Sequence, residues 1–340
     1  MNRRLFLMGV AGAAGCSRGG AGRLNVFNWS DYVAPETVPN FEREFGVKVL
    51  YATYESDEEM LAKVLGGNSG WDVVFPSNNY VGPMRKLGLL SPLRHTLLSN
   101  LGNLEARFQS PPWDPQLAWS VPYMHGSTGI VYRKKITPPI TAWADLWSNR
   151  FQRGLTMLDD PAEVFGACLK KLGDSINATD ARQLEAAKME AIRQKPLLRA
   201  YLNAEVRDQL VAGDVIAAQL WATAAQQAID AAPGLAFVHP SEGFPLYADA
   251  AAILRESGRK VLAHSFLNYL LRPEVAARAA EFTKTATANG AAERLLPALM
   301  RNNPALYPPP AVLARGEWFE PLPAKAQRLR DRLWTEIKSA

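Results

Sequence analysis

The chain is poor in cysteine and histidine and has no block of like charge. Only Cys16 and Cys168 are present among 340 residues. A chain of this length buries enough apolar surface to fold without a disulfide staple. The four histidines, His95, His125, His239 and His264, fall at no metal-ligand spacing, so the usual metal motifs are missing. There is no G-x-G-x-x-G, no P-loop and no G-x-S-x-G elbow; "HGSTG" around Gly126 lacks a leading glycine at the right offset. Neither a cofactor nor a metal is expected. The net charge is +5, and Arg3, Arg4, Arg18 and Arg23 crowd the N-terminus while the other charges interleave by sign. That pattern builds no basic stripe, which sets nucleic acid aside. With 48% hydrophobic and 21% charged residues, the rest reads as a globular protein long enough for two domains.

The first residues read as an export signal. "MNRRLFLMGVAGAAGC" has a basic start, an apolar stretch from Leu5 to Ala14 and small residues before Cys16. The apolar stretch is too short for a membrane-spanning helix. "NRRLFL" resembles the twin-arginine export pattern. "AAGC" resembles a bacterial lipobox with Cys16 as the lipidated residue, although Ala13 stands where leucine is commonest; plain cleavage after the alanine-rich run is the alternative. "SRGGAGR" then reads as a flexible tether. Cys168, inside "EVFGACLKKLG", reads as a small buried hydrophobe.

From Leu24 onward strands and helices alternate. "LNVF" is a strand, "PETVPNFEREFG" a helix ended by Gly46, and "VKVLYAT" a strand. Ser56 and Glu59 have capping-box spacing for "DEEMLAKVLG". "WDVVFPS" is a buried strand, followed by a helix in "YVGPMRKLG". The middle repeats the grammar, with helices in "WADLWSN", "PAEVFGACLKKLG" and "VRDQLVAG" and strands in "DVIAAQLW", "GLAFVHP" and "YADAAAIL". The last segment, "AKAQRLRDRLWTEIKSA", is an amphipathic helix with a solvated basic face. The expected class is α/β, with helices flanking mainly parallel sheets.

In such sheets ligands bind beyond the carboxyl ends of strands. That filter selects Asn28 to Tyr32, Ser77 to Tyr80, Asp159-Asp160 and Trp221. It does not select Tyr247 and Asp249, which are read at the start of a strand. The selected set is rich in acids and aromatics and holds no Lys, Arg or His. Carboxylates suit ammonium groups, and aromatic faces suit cations and methylenes. A phosphate or carboxylate ligand would call for basic groups or a glycine-rich loop. An alkyl polyamine has the matching features.

Structural roles compete for these residues. Asp160 before Pro161 is a natural N-cap, with Glu163 at capping-box spacing. A cap uses one carboxylate oxygen and leaves the other. Trp143 and Trp147 are assigned to packing, a lone Trp29 or Trp221 fits a core, and Ser77 fits a turn. An acid at Asp249, in an apolar strand, needs a partner if buried. His125 reads as a satisfied interior histidine.

With those residues in hand, the chain resembles the periplasmic spermidine/putrescine-binding proteins of bacterial ABC importers. The resemblance runs from about Leu24 to the C-terminus. It rests on "NWSDYVAPETVPNFEREFGVKV", "YESDEEMLAKV", "WDVVFPS", "SVPYMHGSTGI", "WADLW", "DDPAEVF" and "FLNYLLRPEVA". It implies a two-lobed periplasmic binding protein fold with the ligand cleft between lobes. The lobes would be 24–126 plus 248–292 and 127–247 plus 293–340, after a signal and tether at 1–23. By the same resemblance Trp29, Ser30, Asp31 and Tyr32 form a first-lobe wall and Ser77 is a site serine. Asp160 and Glu163 meet amines, Trp221 lines the aliphatic chain, Tyr247 is a site aromatic and Asp249 binds an amine. Asn79, Ala224 and Phe319 depart from the family's patterns, so the preference between spermidine and putrescine stays open. The implied partners are a polyamine and a membrane ABC permease, the implied state an exported monomer with a lipid anchor at Cys16. The alternatives are another small cationic ligand on the same fold, an exported hydrolase using Asp160 and Glu163, or a sensor.

Overall fold

The computed structural model describes residues 22–340, so the twin-arginine pattern and Cys16 lie outside the described residues. The first strand, β1 (Arg23–Trp29), pairs in parallel with β2 (Lys48–Tyr54) and β3 (Val73–Val74). Helices α1 (Thr37–Phe45), α2 (Asp57–Leu65) and α3 (Asn78–Lys86) make the connections. Gly46 closes α1 at φ 64°, a left-handed position that suits glycine. Ser56 caps α2 by accepting from the Glu59 amide. The Glu59 carboxylate completes the turn from Glu55 rather than from Ser56, so only half of the expected box forms.

The long strand β4 (Ser120–Arg133) was not foreseen, because "SVPYMHGSTGI" alternates poorly. It is buried almost throughout and carries the chain from one half of the molecule to the other. The second half holds β5 (Leu155–Met157), β6 (Leu198–Tyr201), β7 (Ala217–Trp221) and β8 (Leu235–Val238). It also holds helices α4 (Pro161–Leu172), α5 (Ala181–Gln194), α6 (Val206–Ala212) and α7 (Ala222–Ala231). "WADLW" is a 3-10 turn, with Trp143 fully buried. The chain returns along β9 (Phe244–Ile253) to α8 (Lys260–Leu270), α9 (Pro273–Thr283) and the short β10 (Ala286–Thr287). It crosses again through β11 (Gly316–Trp318) to the C-terminal helix, Ala324–Ser339.

The sheet path runs β2-β1-β3-β9-β4-β7-β5-β6. Its outer members pair in parallel: β5 with β6 and β7, as β1 with β2 and β3. The two crossing strands, β4 and β9, pair antiparallel with each other, and with β7 and β3 respectively, while β11 joins β9 in parallel. This two-lobed α/β architecture is a pair of parallel wings joined by an antiparallel seam. The largest apolar cluster gathers residues such as Leu24, Phe41, Phe75, Tyr123, Ala248 and Phe266. Another gathers Ile130, Trp143, Phe165, Cys168, Phe244 and Ile337. Cys168 is a free, fully buried thiol within the latter.

Candidate ligand-binding site

The site is assembled where β9 passes the carboxyl ends of β1 and β3. Asp249 points from mid-β9 and is only 5% exposed. β9 begins at Phe244, earlier than the sequence pattern suggests, so Tyr247 and Asp249 lie inside the strand. The Tyr32 hydroxyl donates to Asp249 Oδ2 at 2.5 Å and the Ser77 hydroxyl to Oδ1 at 3.0 Å. Both stabilise the ionised carboxylate, yet burial dominates and pushes its pKa up to about 6. Ser77 ends the approach to α3 as its N-cap residue, but its hydroxyl makes no capping bond. The hydroxyl serves Asp249 instead, while its amide donates to Asp57 Oδ1 at 3.1 Å.

Tyr32 is held from behind. Its carbonyl accepts from the Tyr123 hydroxyl at 2.9 Å, and the two rings meet edge-on at 5.9 Å. Burial, then the Asp249 charge, raises the Tyr32 phenol well above its ordinary range, so it stays a donor. Trp29 closes β1, where its indole N–H donates to the Phe75 carbonyl at 2.8 Å. The Trp29 ring lies 4.7 Å from that of Tyr54, whose hydroxyl reaches the same carbonyl. These fixed rings form one wall.

The opposite wall is the start of α4. Asp160 caps it, accepting from the Ala162 and Glu163 amides at 2.7 and 3.1 Å. Both bonds go to Oδ1, which leaves Oδ2 for another partner. Glu163 takes no part in a capping box. Its Oε1 accepts from Thr128 at 2.7 Å and from the Trp221 indole at 3.0 Å. Its Oε2 is buried without a hydrogen-bond partner, in a residue only 3% exposed. Burial, then the neighbouring Asp160 charge, pushes the Glu163 carboxyl up to about 8. Burial raises Asp160 as well. Burial, then the Asp249 charge, raises the Tyr247 phenol, and the Glu163 charge bears on it as well. Its ring fits over β4 only because residue 126 is glycine: a Cβ there would overlap the Tyr247 hydroxyl.

Of the ten residues singled out from the sequence, Tyr32 and Ser77 bond Asp249, Trp221 bonds Glu163 beside Asp160, and Tyr247 is on β9 two residues from Asp249, while Trp29 is tied to Phe75 and Tyr54. Ser30 and Asp31 stand at the rim. The Ser30 hydroxyl bonds Glu55. Asp31 is exposed at φ 53°, a left-handed position that aspartate tolerates, and it accepts no hydrogen bond among the described residues. Sequence reasoning missed Thr128, hidden in the unforeseen β4. It also missed Asp57 and Glu58, which pass for dipole-matching acids at the start of a helix. Asp57 is buried and raised well above the usual carboxylate range, mainly by burial. Glu58 holds the Tyr80 hydroxyl, and its charge bears on Asp160. The strand-end set lacks basic residues, but Arg330 of the C-terminal helix also bears on Asp160. No filter built on strand ends could have found it.

No helix among the described residues is long and apolar enough to cross a membrane, and among them no group of His, Cys, Asp or Glu is arranged to hold a metal ion. The arrangement can grip a ligand with separated positive charges and an apolar middle, since buried carboxylates flank aromatic surface.

Comparison with known proteins agrees. The model of the bacterial extracellular solute-binding proteins matches residues 36–308. A spermidine/putrescine-binding periplasmic protein of Salmonella typhimurium is 37% identical over 298 residues, covering 87% of this chain and 86% of that one. A putrescine-binding periplasmic protein of Escherichia coli is 33% identical over 337 residues, covering 93% and 91%. Among solved structures, a spermidine/putrescine ABC transporter chain from Listeria monocytogenes superposes with a TM-score of 0.89 at 30% identity, covering 94% of this chain and 99% of that one. With its two-lobed fold and these relatives, the chain belongs to the bacterial extracellular solute-binding protein family.

Proposed function

We propose that this protein binds an aliphatic polyamine, spermidine or putrescine, outside the cytoplasm and delivers it to an ABC permease. The observation that carries the reading is the pair of buried carboxylates whose charges bear on Tyr247. Asp249 is poised by two hydroxyl donors, and Glu163 keeps one oxygen buried and bare. An ammonium supplies the missing donor to Glu163 Oε2 and the charge that makes its ionisation favourable. In this reading Asp249, Glu163, Asp160 and Asp31 meet amines, Ser30 and Ser77 supply hydroxyls, and Trp29, Tyr32, Trp221 and Tyr247 box the methylenes. Each charge-assisted bond contributes about 1.5–3 kcal/mol. Two or three of them with ring contacts reach roughly −8 kcal/mol, micromolar affinity, after ordering costs.

The protein acts by binding and release, without turnover. Export through the twin-arginine-like segment, lipid attachment at Cys16 and a monomeric state complete the proposal. A thermal-shift panel of putrescine, spermidine, spermine, basic amino acids and metal ions tests the class; a rise confined to polyamines is expected. Asp249→Asn keeps an acceptor for Tyr32 but loses the charge, and is expected to weaken binding at least about tenfold. Calorimetry showing unchanged affinity in a folded variant refutes the role of Asp249.

A further inference from the structure

Ser77 bonds Asp249, and the residue after it has quite different partners. Asn78 is the first residue of α3 and only 1% exposed. Its Nδ2 donates to the Phe319 carbonyl at 2.7 Å, and its Oδ1 accepts from the Ala248 amide at 3.1 Å. A single orientation of the side-chain amide satisfies both, since one partner is an acceptor and the other a donor. The two partners lie on different strands. Ala248 adjoins Asp249 in β9. Phe319 continues β11, on which the chain makes its last crossing, and its own amide donates to the Leu246 carbonyl at 3.2 Å.

That crossing segment is held from the other half as well. Asn177, in the loop after α4, donates to the Trp318 carbonyl at 2.9 Å and accepts from the Glu320 amide at 2.9 Å. Glu317 pairs with Lys170 and accepts from the Ser175 hydroxyl at 2.6 Å and the Ile176 amide at 3.2 Å. Adjacent carbonyls of one segment are thus taken by asparagines from opposite halves of the molecule. The approach to α3 is pinned to β9 in turn. The Ala250 amide donates to the Pro76 carbonyl at 2.9 Å, Ser77 bridges to Asp249, and Asn78 holds Ala248.

We infer that Asn78 is a positioning residue: it ties the last crossing segment to β9 and so fixes the Ser77 hydroxyl against Asp249, the station for one ammonium. The inference rests on the polyamine reading. Both ends of the Asn78 amide go to backbone groups, so it acts on the ligand through Ser77. The Ser77 hydroxyl turns freely about its own bond, and a hydrogen bond weakens steeply once misaligned. Its backbone must therefore be held, and Asn78 is the buried side chain that holds it.

The test is a double-mutant cycle, read by calorimetric titration of putrescine into the unaltered protein, Ser77→Ala, Asn78→Ala and the double variant. Each single variant is expected to weaken binding about tenfold, the scale of one hydrogen bond to a charged group. The double variant is expected to bind within about twofold of Ser77→Ala, because the second loss acts through the first. A parallel cycle pairs Asn78→Ala with Thr128→Val, which withdraws a hydroxyl from Glu163 instead, and is expected to be additive within about twofold. Unchanged affinity in Asn78→Ala, or additive losses in the Ser77 cycle, overturns the inference alone. Coupling of equal size in both cycles shows a general loosening and overturns it too. Should Asn78→Ala not fold, Asn177→Ala frees the same segment from its other side, and additive losses with Ser77→Ala overturn the inference equally. Failure of the unaltered protein to bind putrescine or spermidine overturns the polyamine reading and the inference with it.

Discussion

At the scale of single residues, Asp160 carries two duties that substitution can separate. One carboxylate oxygen caps α4 and the other faces the cleft. Asp160→Asn keeps a capping oxygen and loses the charge, so it should melt within a few degrees of the parent yet bind polyamine more weakly. Asp160→Ala loses both, with a further cost of about 1 kcal/mol for the cap. Equal melting temperatures for the two variants would refute the capping role. Glu163 gives a pH signature. Its carboxyl rises from the ordinary 4.5 to about 8, so the folded protein holds a proton that the unfolded chain releases. Stability of the empty protein from this group is therefore whole below about pH 4.5 and declines as pH rises toward about 8. Glu163→Gln should flatten that decline; parallel melting curves against pH for variant and parent would count against the raised carboxyl. An ammonium favours the ionised form, so affinity should climb between about pH 6 and 8 with proton uptake by the buffer. Calorimetry in two buffers of different ionisation enthalpy reads that proton directly.

At the scale of elements, the parallel wings were legible and the seam was not. "LNVF", "VKVLYAT" and "WDVVFPS" show runs or alternation bounded by turn residues, and Asp160-Pro161 marks a helix start by local chemistry alone. β4 hides because both of its faces are buried. No polar face remains to alternate, and Gly126, Ser127 and Gly129 imitate a loop. Strand ends pointed to Trp29, Tyr32, Ser77, Asp160 and Trp221, whereas Asp249 stood out as an acid in an apolar strand and gained its role as an amine partner through the resemblance. Arg330, Glu58 and Thr128 stayed hidden because long-range packing, not local pattern, brings them in. The Gly126 position has a consequence of its own. It pairs with Tyr247 across the seam, so Gly126→Ala must displace the tyrosine on which both carboxylates bear. Binding should weaken about tenfold or more, in line with the loss of a buried aromatic contact and a realigned acid. Tyr247→Phe, which spares the ring, should weaken it less; the reverse order in titrations would show that the ring position is unimportant.

At the scale of the whole molecule, the question is what holds the lobes apart and what draws them together. The Glu58 charge bears on Asp160, and the Asp249 and Glu163 charges both bear on Tyr247. The like charges of Glu58 and Asp160 favour separation in the empty protein, and Glu163 adds to it only above about pH 8, where it ionises. Contacts at the other margin favour approach: Thr223 to Thr285 at 3.2 Å and Gln227 to the Thr283 carbonyl at 2.9 Å. Leu296, Met300 and Leu306 add an apolar bridge, packing with Ala276 and Ala280 on one side and Ala222 on the other. We propose that the halves 24–126 plus 248–292 and 127–247 plus 293–340 turn about the β4–β9 seam, and that a polyamine reverses the sign of the cleft's contribution. A ligand can shift such an equilibrium only by binding the closed form better than the open one. Bridging ammonium groups do so because they contact both walls only when closed. Small-angle scattering should then show a smaller radius of gyration with putrescine, and the same contraction in the ligand-free double variant Asp160→Asn with Glu163→Gln, whose walls no longer repel. An unchanged radius in the double variant would mean that the acids bind the ligand without governing closure. Salt should discriminate as well: screening relieves the exposed Glu58 to Asp160 repulsion more than the buried contacts, so moderate salt should contract the empty protein while weakening putrescine binding only modestly.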